Sequence, residues 1–217
     1  MLTCHDLYKL AQAGLLSPQA SAICLVSPVH WGVSMSTSTG EASPGLPEQF
    51  ASGAVAGAWT LDPARSTVAL KSKSMWGLLP IRGVFREVEG AGTVTAGGEV
   101  TGQLAVKTAS LDTKIGKRDE HLRSGDFFAS DTYPAITFAL AGVEFAAAGM
   151  TVSGTLTVRD QSRPLSFPAT AALAGDGEVC LDATVRVDRT EFGITFNKMN
   201  MASMQNTVTI HAVFTRD

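Results

Sequence analysis

Apolar and polar residues alternate with a period of two over most of the stretch from Ser66 to Asp217. Every second residue is apolar or glycine from Val152 to Val158, from Val179 to Val187 and from Val208 to Phe214. This alternation is typical of strands that bury one face and expose the other. An antiparallel sheet of such strands must hide both its apolar face and its edges. Closure into a barrel achieves both.

Short turns rich in glycine and aspartate separate the alternating segments, for example Gly97-Gly98 and Gly175-Asp176-Gly177. Turns of this length join antiparallel neighbours, so we expect the strands to follow one another around an up-and-down barrel. The eight predicted strands cover residues 65–74, 79–96 with a bend near Gly90–Gly92, 99–110, 134–146, 150–160, 163–174, 177–188 and 205–216.

Two segments interrupt this order. Ile115–Phe128 has the composition of a short helix that ends around Ser124-Gly125. Asp188–Ser203 is long for a hairpin connection and is rich in phenylalanine and methionine. Loops of this length in compact domains are often lids or binding loops, although the same segment would also serve simply to plug the barrel end.

The N-terminal part of the chain has a different character. Ser36–Ala58 is rich in Ser, Thr, Gly, Pro and Ala, which is typical of a flexible tail. We therefore predict a disordered N-terminal extension over residues 1–57 and a barrel domain over residues 58–217. Met35 opens the flexible run and is a candidate for the physiological start of translation.

Charge and composition exclude several classes of function. The formal net charge is −3, so no basic field is present to neutralise a nucleic-acid backbone. No apolar run approaches the roughly 20 residues that span a bilayer, and no convincing signal peptide is present. The three cysteines are widely spaced and predict incidental thiols, with Cys180 as a buried small residue. These features together predict a cytoplasmic location.

Seven short motifs indicate that the sequence resembles a known protein family. They follow one another in the order found in the YceI-like family, which the chain resembles over residues 58–217. Two features depart from the family: Ser74 stands where members often carry histidine, and the usual export signal is missing. The motifs are Trp59–Ser66, Arg82–Phe85, Ser110–Thr113, Arg118–Phe128, Tyr133–Phe138, Gly154–Arg159 and Arg189–Gly193.

The resemblance implies an all-β fold, a lipocalin-like eight-stranded antiparallel barrel with one short helix capping an end. Members of this family bind long apolar ligands in the lumen, including polyisoprenoids and isoprenoid quinones, and dimers are seen. We therefore expect a non-catalytic carrier of such a lipid that needs no cofactor or metal, and a homodimer is a further expectation.

The inward faces of the strands mix small residues with large apolar ones, which would leave a tunnel for one slender ligand. In the alternative, large and small side chains interdigitate into a solid core. The predicted residues of the apolar lumen and its gate are Leu70, Met75, Trp76, Phe85, Phe127, Phe128, Phe138, Leu156, Phe167, Phe192, Phe196 and Met199.

Basic residues near the predicted helix have two interpretations. They would contact the head group of a ligand, since arginine forms bidentate hydrogen bonds with a diphosphate. In the alternative, arginines of this segment pair with Asp119 or Asp126 and clamp the helix to the barrel. The residues concerned are Arg82, Arg118, His121 and Arg123.

The sequence offers little that indicates catalysis. The barrel domain has only two histidines, His121 and His211, and they lie far apart in the chain. It contains no nucleophile elbow, no His-Glu-x-x-His motif, no glycine-rich phosphate loop and no paired-cysteine metal site. An isomerase or cyclase acting on an apolar substrate inside the barrel is the alternative from another class. A structural, stress-associated dimer with a filled core is a third.

Overall fold

A computed structural model of the chain describes residues 46–74, 78–146, 149–174, 177–200 and 202–217. Within these ranges the strands are β1 (Gly57–Leu61), β2 (Thr67–Ser74), β3 (Leu79–Phe85), β4 (Val88–Val94), β5 (Val100–Lys107), β6 (Leu111–Asp112), β7 (Ala135–Ala146), β8 (Gly149–Val158), β9 (Gln161–Leu173), β10 (Glu178–Asp188) and β11 (Gln205–Arg216). The α-helices are α1 (Leu46–Ala51) and α2 (Gly116–Arg123), and 3-10 turns cover Thr108–Ser110, Arg189–Phe192 and Lys198–Asn200.

The strands close into an eight-stranded antiparallel barrel. β1 pairs with both β4 and β11, which completes the ring β1–β4–β5–β7–β8–β9–β10–β11. β11 also pairs with β2, β2 pairs with β3, and β3 pairs with β6. β1 and β2 are therefore two halves of one bent strand, as are β3 and β4, and β5 and β6. The predicted eight-stranded antiparallel barrel is confirmed.

The observed strands follow the predicted ranges with two differences. The strand predicted over 79–96 breaks at Arg86–Glu87, whereas the bend was expected near Gly90–Gly92. At the break, the backbone N–H groups of Arg86 and Glu87 donate to the carbonyl and hydroxyl oxygens of Ser110. β1 was not predicted, because five residues that directly follow a glycine-rich and alanine-rich run give too short an alternation to stand out.

Residues 46–57, which the sequence places in the flexible extension, pack against the barrel. Val55 is buried against Trp59 and Val94, and the Trp59 indole donates to the Val55 carbonyl at 3.0 Å. The Phe50 ring of α1 lies 5.0 Å from the Phe145 ring of β7. Met35 lies outside the described residues, so its role as a start stays a prediction.

The predicted short helix is present as α2 and ends at Arg123, close to the expected position. Asp119 fixes its first turn, because this buried carboxylate accepts hydrogen bonds from both the backbone N–H and the hydroxyl of Thr113. The chain then folds back, and the N–H of Phe128 donates to the Leu122 carbonyl at 3.0 Å. His121 and Leu122 line the barrel interior, so α2 covers one end.

The two ends of the barrel are built differently. The described parts of the α2 end are α2, the end of β2, the start of β3, and residues 189–200 and 202–204 between β10 and β11. The described parts of the α1 end are α1, the turn that joins β4 to β5, the ends of β7 and β9, and the starts of β8 and β10. No α-helix in the described ranges is long and apolar enough to cross a bilayer.

One sequence expectation about the cysteines is wrong. Cys180 is buried in β10 as predicted, but it is disulfide-bonded and is not a free thiol. Both other cysteines, Cys4 and Cys24, lie outside the described residues. The predicted cytoplasmic location stays a prediction.

Candidate functional site

A cavity of about 630 Å³ runs along the inside of the barrel from one end to the other. Its lining includes Leu46 and Phe50 at the α1 end and Phe196 and Lys198 at the α2 end. Along β10, the lining extends from Val179 to Val187, a distance of ~26 Å at the usual rise per residue of a strand. The volume is in the range of small-molecule sites, and the shape is long and narrow.

The inward rows of the period-two pattern are the walls of this cavity. Val152, Leu156 and Val158 line it from β8. Whole rows from β10 and β11 do the same, apart from the buried Ala183. The lining members of those two rows are Val179, Leu181, Val185, Val187, Val208, Ile210, Ala212 and Phe214.

Small residues keep the interior from becoming a solid core. Gly92, Gly102 and Ala171 line the cavity at inward positions, where larger side chains would fill it. Gly92 and Gly102 lie opposite each other on β4 and β5. A Cβ atom added to Gly102 would lie 2.8 Å from the Ala91 carbonyl oxygen, so the two strands approach too closely there for any side chain. The sequence allowed either a tunnel or a solid core inside the barrel. The structure shows the tunnel.

Most of the predicted lumen residues line the cavity. Met75 and Trp76 lie outside the described residues. Met199 is misplaced, because it is 72% exposed and sits in a left-handed backbone conformation (φ 57°, ψ 24°) that turns the chain outward within Lys198–Asn200. The predicted residues that do line the cavity are Leu70, Phe85, Phe127, Phe128, Phe138, Leu156, Phe167, Phe192 and Phe196.

An aromatic cluster narrows the α2 end. The His121 ring lies edge-on to Phe127 and to Phe196, with ring centroids 5.1 Å apart in both pairs. Phe127 and Phe196 also meet edge to face at 5.6 Å. His121 Nε2 lies 2.9 Å from a carboxylate oxygen of Asp126, which does not line the cavity. This contact orients the imidazole.

Of the predicted head-group residues, Arg82 lies outside the lumen. It is exposed on β3, because the alternation of that strand turns its neighbours Ile81 and Gly83 inward. A head-group contact at Arg82 is therefore wrong. Its outward position follows from the same period of two that places Phe85 in the lumen.

Arg118 and Arg123 both hold α2 in place. Neither forms the expected ion pair with Asp119 or Asp126. Arg118 donates from Nε to the Thr113 hydroxyl and from Nη2 to the Thr113 carbonyl, both at 2.7 Å. Arg123 donates from Nε to the Ala109 carbonyl at 2.9 Å. Arg118 also lines the cavity, whereas Arg123 does not.

Arg189 is a lumen residue that the sequence interpretation missed. It lines the cavity at the α2 end and is 7% exposed. Its Nε donates to the Ser203 carbonyl at 3.1 Å, and its Nη1 donates to the Ile194 carbonyl at 3.2 Å. The guanidinium carbon lies 5.5 Å from the centre of the Phe127 ring. Burial lowers the pKa of Arg189 from its ordinary value.

A signal for Arg189 is present in the sequence. The inward row of β10 occupies odd positions from Val179 to Val187, and Arg189 is the next odd position. The inward row of β10 is therefore followed by a buried arginine. This arginine belongs to the motif Arg189–Gly193, which the sequence analysis used only for the family resemblance. Continuing the alternation of inward and outward side chains by one more step beyond Val187 would have placed the Arg189 side chain inside the barrel.

Charge in the lumen is confined to one end. The ionisable residues in the described lining are Arg118, His121, Arg189 and Lys198, all at the α2 end, and none of the described lining residues is Asp or Glu. Near the α1 end, the inward-facing side chains of β4 and β5 are apolar, for example Val94 and Val100, whereas Thr93, Thr101 and Gln103 are exposed on the outer face. The cavity is therefore an apolar tube with a cationic end.

Sequence comparison supports the family assignment. The profile of the YceI-like domain matches residues 59–215. A UPF0312 protein of Photorhabdus laumondii is 32% identical over 98 residues, which is 44% of this chain and 50% of that protein. Protein YceI of Escherichia coli is 30% identical over 98 residues, with the same coverage. The match therefore spans about half the length of these relatives.

Solved structures share the fold. BcnA of Burkholderia cenocepacia superposes with a TM-score of 0.64 at 23% identity, covering 70% of this chain and 98% of BcnA. A polyisoprenoid-binding domain from Saccharophagus degradans gives a TM-score of 0.60 at 17% identity, covering 73% of this chain and 98% of that domain. The profile match covers most of the chain and agrees with the barrel, so this protein belongs to the YceI-like family.

Proposed function

We propose that the barrel binds a lipid with a polyisoprenoid chain in its lumen, for example a polyisoprenoid or an isoprenoid quinone, and carries it without converting it. One observation carries this proposal: the apolar cavity of about 630 Å³ that runs from end to end of the barrel. The ligand of the Saccharophagus degradans domain supports the same class of lipid for this fold.

The physical basis is the burial of an apolar chain. Removal of apolar surface from water contributes about 25 cal/mol per Å². The lumen is already formed by the strands, so binding requires little additional ordering of the protein. A long and narrow tube favours a slender linear ligand over a compact one.

The composition of the lining favours carriage over an isomerase or cyclase. Proton transfer within a substrate needs an acid and a base that both reach it. The described lining contains His121, two arginines and a lysine but no carboxylate. The partner of His121, Asp126, lies outside the cavity.

Lipid binding is tested by native mass spectrometry and lipid extraction of the protein purified under mild conditions. We also expect prenyl alcohols to bind, with an affinity that rises with chain length until the chain fills the lumen, whose lining spans ~26 Å along β10. Tryptophan fluorescence reports binding, since Trp59 lines the cavity.

A matched pair of variants locates the site. Ala171 lines the lumen, whereas its neighbour Ala172 is exposed on the outer face of β9. Ala171→Phe should weaken binding by at least about tenfold, because it fills the tube, and Ala172→Phe should leave it unchanged. Equal effects of the two variants, or no uptake of any prenyl alcohol, would contradict the proposal.

Carriage is separated from conversion by recovering the ligand. After prolonged incubation, the prenyl alcohol extracted from the protein should have an unchanged mass and chromatographic position. A product whose formation is lost on replacing His121 would support the enzymatic alternative. The homodimer implied by the family stays a prediction.

A further inference from the structure

Arg189 is buried at the α2 end of the lumen without an ion pair to a described residue. No ion pair joins it to an Asp or Glu of the described ranges. Burial of a cation is costly unless hydrogen bonds and an opposite charge compensate it. The charge of Asp188 acts on Arg189 without forming a salt bridge, and a buried guanidinium with no direct ion pair points to a partner that is not part of the protein chain.

The hydrogen bonds of Arg189 are incomplete. Its Nε and Nη1 atoms donate to the carbonyls of Ser203 and Ile194. Its Nη2 atom is buried and has no hydrogen-bond partner in the described part of the chain. Nearly all buried polar atoms in native proteins have partners, so an orphaned guanidinium nitrogen in a binding cavity marks a place for an acceptor.

The surroundings of Arg189 favour an anionic acceptor over a neutral one. Arg118, His121 and Lys198 line the same end of the lumen, and no described lining residue is acidic. The neighbouring carboxylate, Asp188, accepts hydrogen bonds from Thr190 and from the Gln205 amide and does not line the cavity. The guanidinium carbon of Arg189 lies over the face of the Phe127 ring, 5.5 Å from its centre.

We propose that Arg189 binds an acidic head group, a phosphate or a carboxylate, of the lipid whose chain occupies the lumen. The ligand then lies with its head at the α2 end and its tail toward the α1 end. This inference rests on the proposed function and adds the charge and the orientation of the ligand. Arginine suits both groups, because its planar fork matches their oxygens.

A purely structural role makes a different prediction. Arg189 joins Ser203 and Ile194 and so fastens the β10–β11 segment to the barrel. If Arg189 had only this role, its loss would loosen this segment and lower the affinity for every ligand by the same factor. Discrimination between head groups separates the two roles.

The experiment uses three ligands that share one chain: geranylgeranyl monophosphate, geranylgeranoic acid and geranylgeraniol. The native protein should bind an acidic ligand about 10- to 100-fold more tightly than the alcohol, the range expected for a charge-assisted hydrogen bond. Preference for the phosphate, for the carboxylate or for both supports the proposal and identifies the head group. Equal affinity for all three ligands would overturn it.

Arg189→Gln should remove most of the preference, because it should lower the affinity for the acids much more than the affinity for the alcohol. Arg186→Gln is the matched control, because Arg186 is exposed on β10, close before Arg189 in the chain, and its replacement makes the same change in net charge. A uniform loss of affinity for all three ligands in Arg189→Gln would leave Arg189 with only its structural role and overturn the proposal.

Two further measurements keep the test decisive. If Arg189→Gln does not fold, Arg189→Lys retains the charge without the planar fork, and the preference of the native protein alone still decides the outcome. Binding of the alcohol with no preference for the acids contradicts this inference but leaves the proposed function intact. No binding of any of the three ligands contradicts the proposed function itself.

Discussion

The two ends of the barrel are closed in different ways. At the α1 end, Phe50, Val55, Trp59 and Val94 pack into an apolar cluster, and the described lining carries no charge there. At the α2 end, one short helix and the β10–β11 segment close the lumen around basic residues and an aromatic cluster.

The distribution of exposed apolar side chains follows the same division. The four large ones in the described ranges all belong to the α2 end: Leu78 and Leu79 at the start of β3, Ile115 before α2, and Met199 between β10 and β11. Packing at the α1 end serves stability, whereas the α2 end combines charge, loops and exposed apolar surface. This contrast suits a ligand with an apolar tail and a polar head.

The largest expected effect is on stability and comes from the α1 end. Trp59→Ala should lower the free energy of unfolding by about 3–5 kcal/mol, because it removes a buried aromatic side chain and its hydrogen bond to Val55. Chemical denaturation measures this loss. Trp59→Phe should lose clearly less, since it retains most of the apolar volume. A loss below about 1 kcal/mol in Trp59→Ala would show that the cluster does not hold this end together.

A smaller stability effect is expected at the α2 end. Asp119→Ala should cost about 1–3 kcal/mol, because the Thr113 backbone N–H and hydroxyl lose their buried acceptor. The adjacent Glu120 is exposed, so Glu120→Ala should change the free energy of unfolding by less than about 0.5 kcal/mol. Equal losses in the two variants would mean that Asp119 does not fix α2.

The ends should also differ in ligand release. Phe196→Ala removes two edge-on ring contacts of the α2 cluster and should raise the dissociation rate of a prenyl phosphate about fivefold, since an aromatic contact contributes roughly 1 kcal/mol. Phe50→Ala, at the α1 end, should change the rate less. Stopped-flow displacement measures both rates. A larger increase for Phe50→Ala would place the exit at the α1 end.

The smallest effect concerns acid stability. Lys114 and Arg86 hold the pKa of Asp112 well below its ordinary value. A lowered folded-state pKa gives a contribution that is present above the unfolded pKa and is lost as the pH falls through the folded value. Asp112→Asn should therefore lower the stability slightly at pH 7, where the contribution is present, and flatten the decrease in stability below about pH 4. The free energy of unfolding, measured by chemical denaturation as a function of pH, tests this. An identical decrease below about pH 4 in the variant and the native protein would contradict it.

The parts of the fold that the sequence predicts well are those governed by local periodicity. Side chains alternate along any strand, so the rows ending at Val187 and Phe214 identify the lumen walls without knowledge of their partners. The same rule places Arg82 outside and Arg189 inside, and both would have followed from a strict count of parity. The helix that begins at Gly116 is likewise a local feature.

Features that depend on distant contacts could not be predicted in this way. Residues 46–57 have the composition of a tail, yet Val55 is buried because Trp59 and Val94 cover it. The break at Arg86–Glu87 depends on Ser110, which lies far along the chain. Met199 faces outward because of a left-handed backbone conformation that its residue type does not indicate.

The most direct test of the orientation is a crystal structure with a prenyl phosphate that carries bromine at the end of its tail. Anomalous scattering then locates the tail independently of the protein map. We predict a bromine peak in the lumen beside Phe50 and Trp59, with the phosphate on Arg189. A bromine peak beside Arg189 or Phe196, or no peak inside the barrel, would contradict the account.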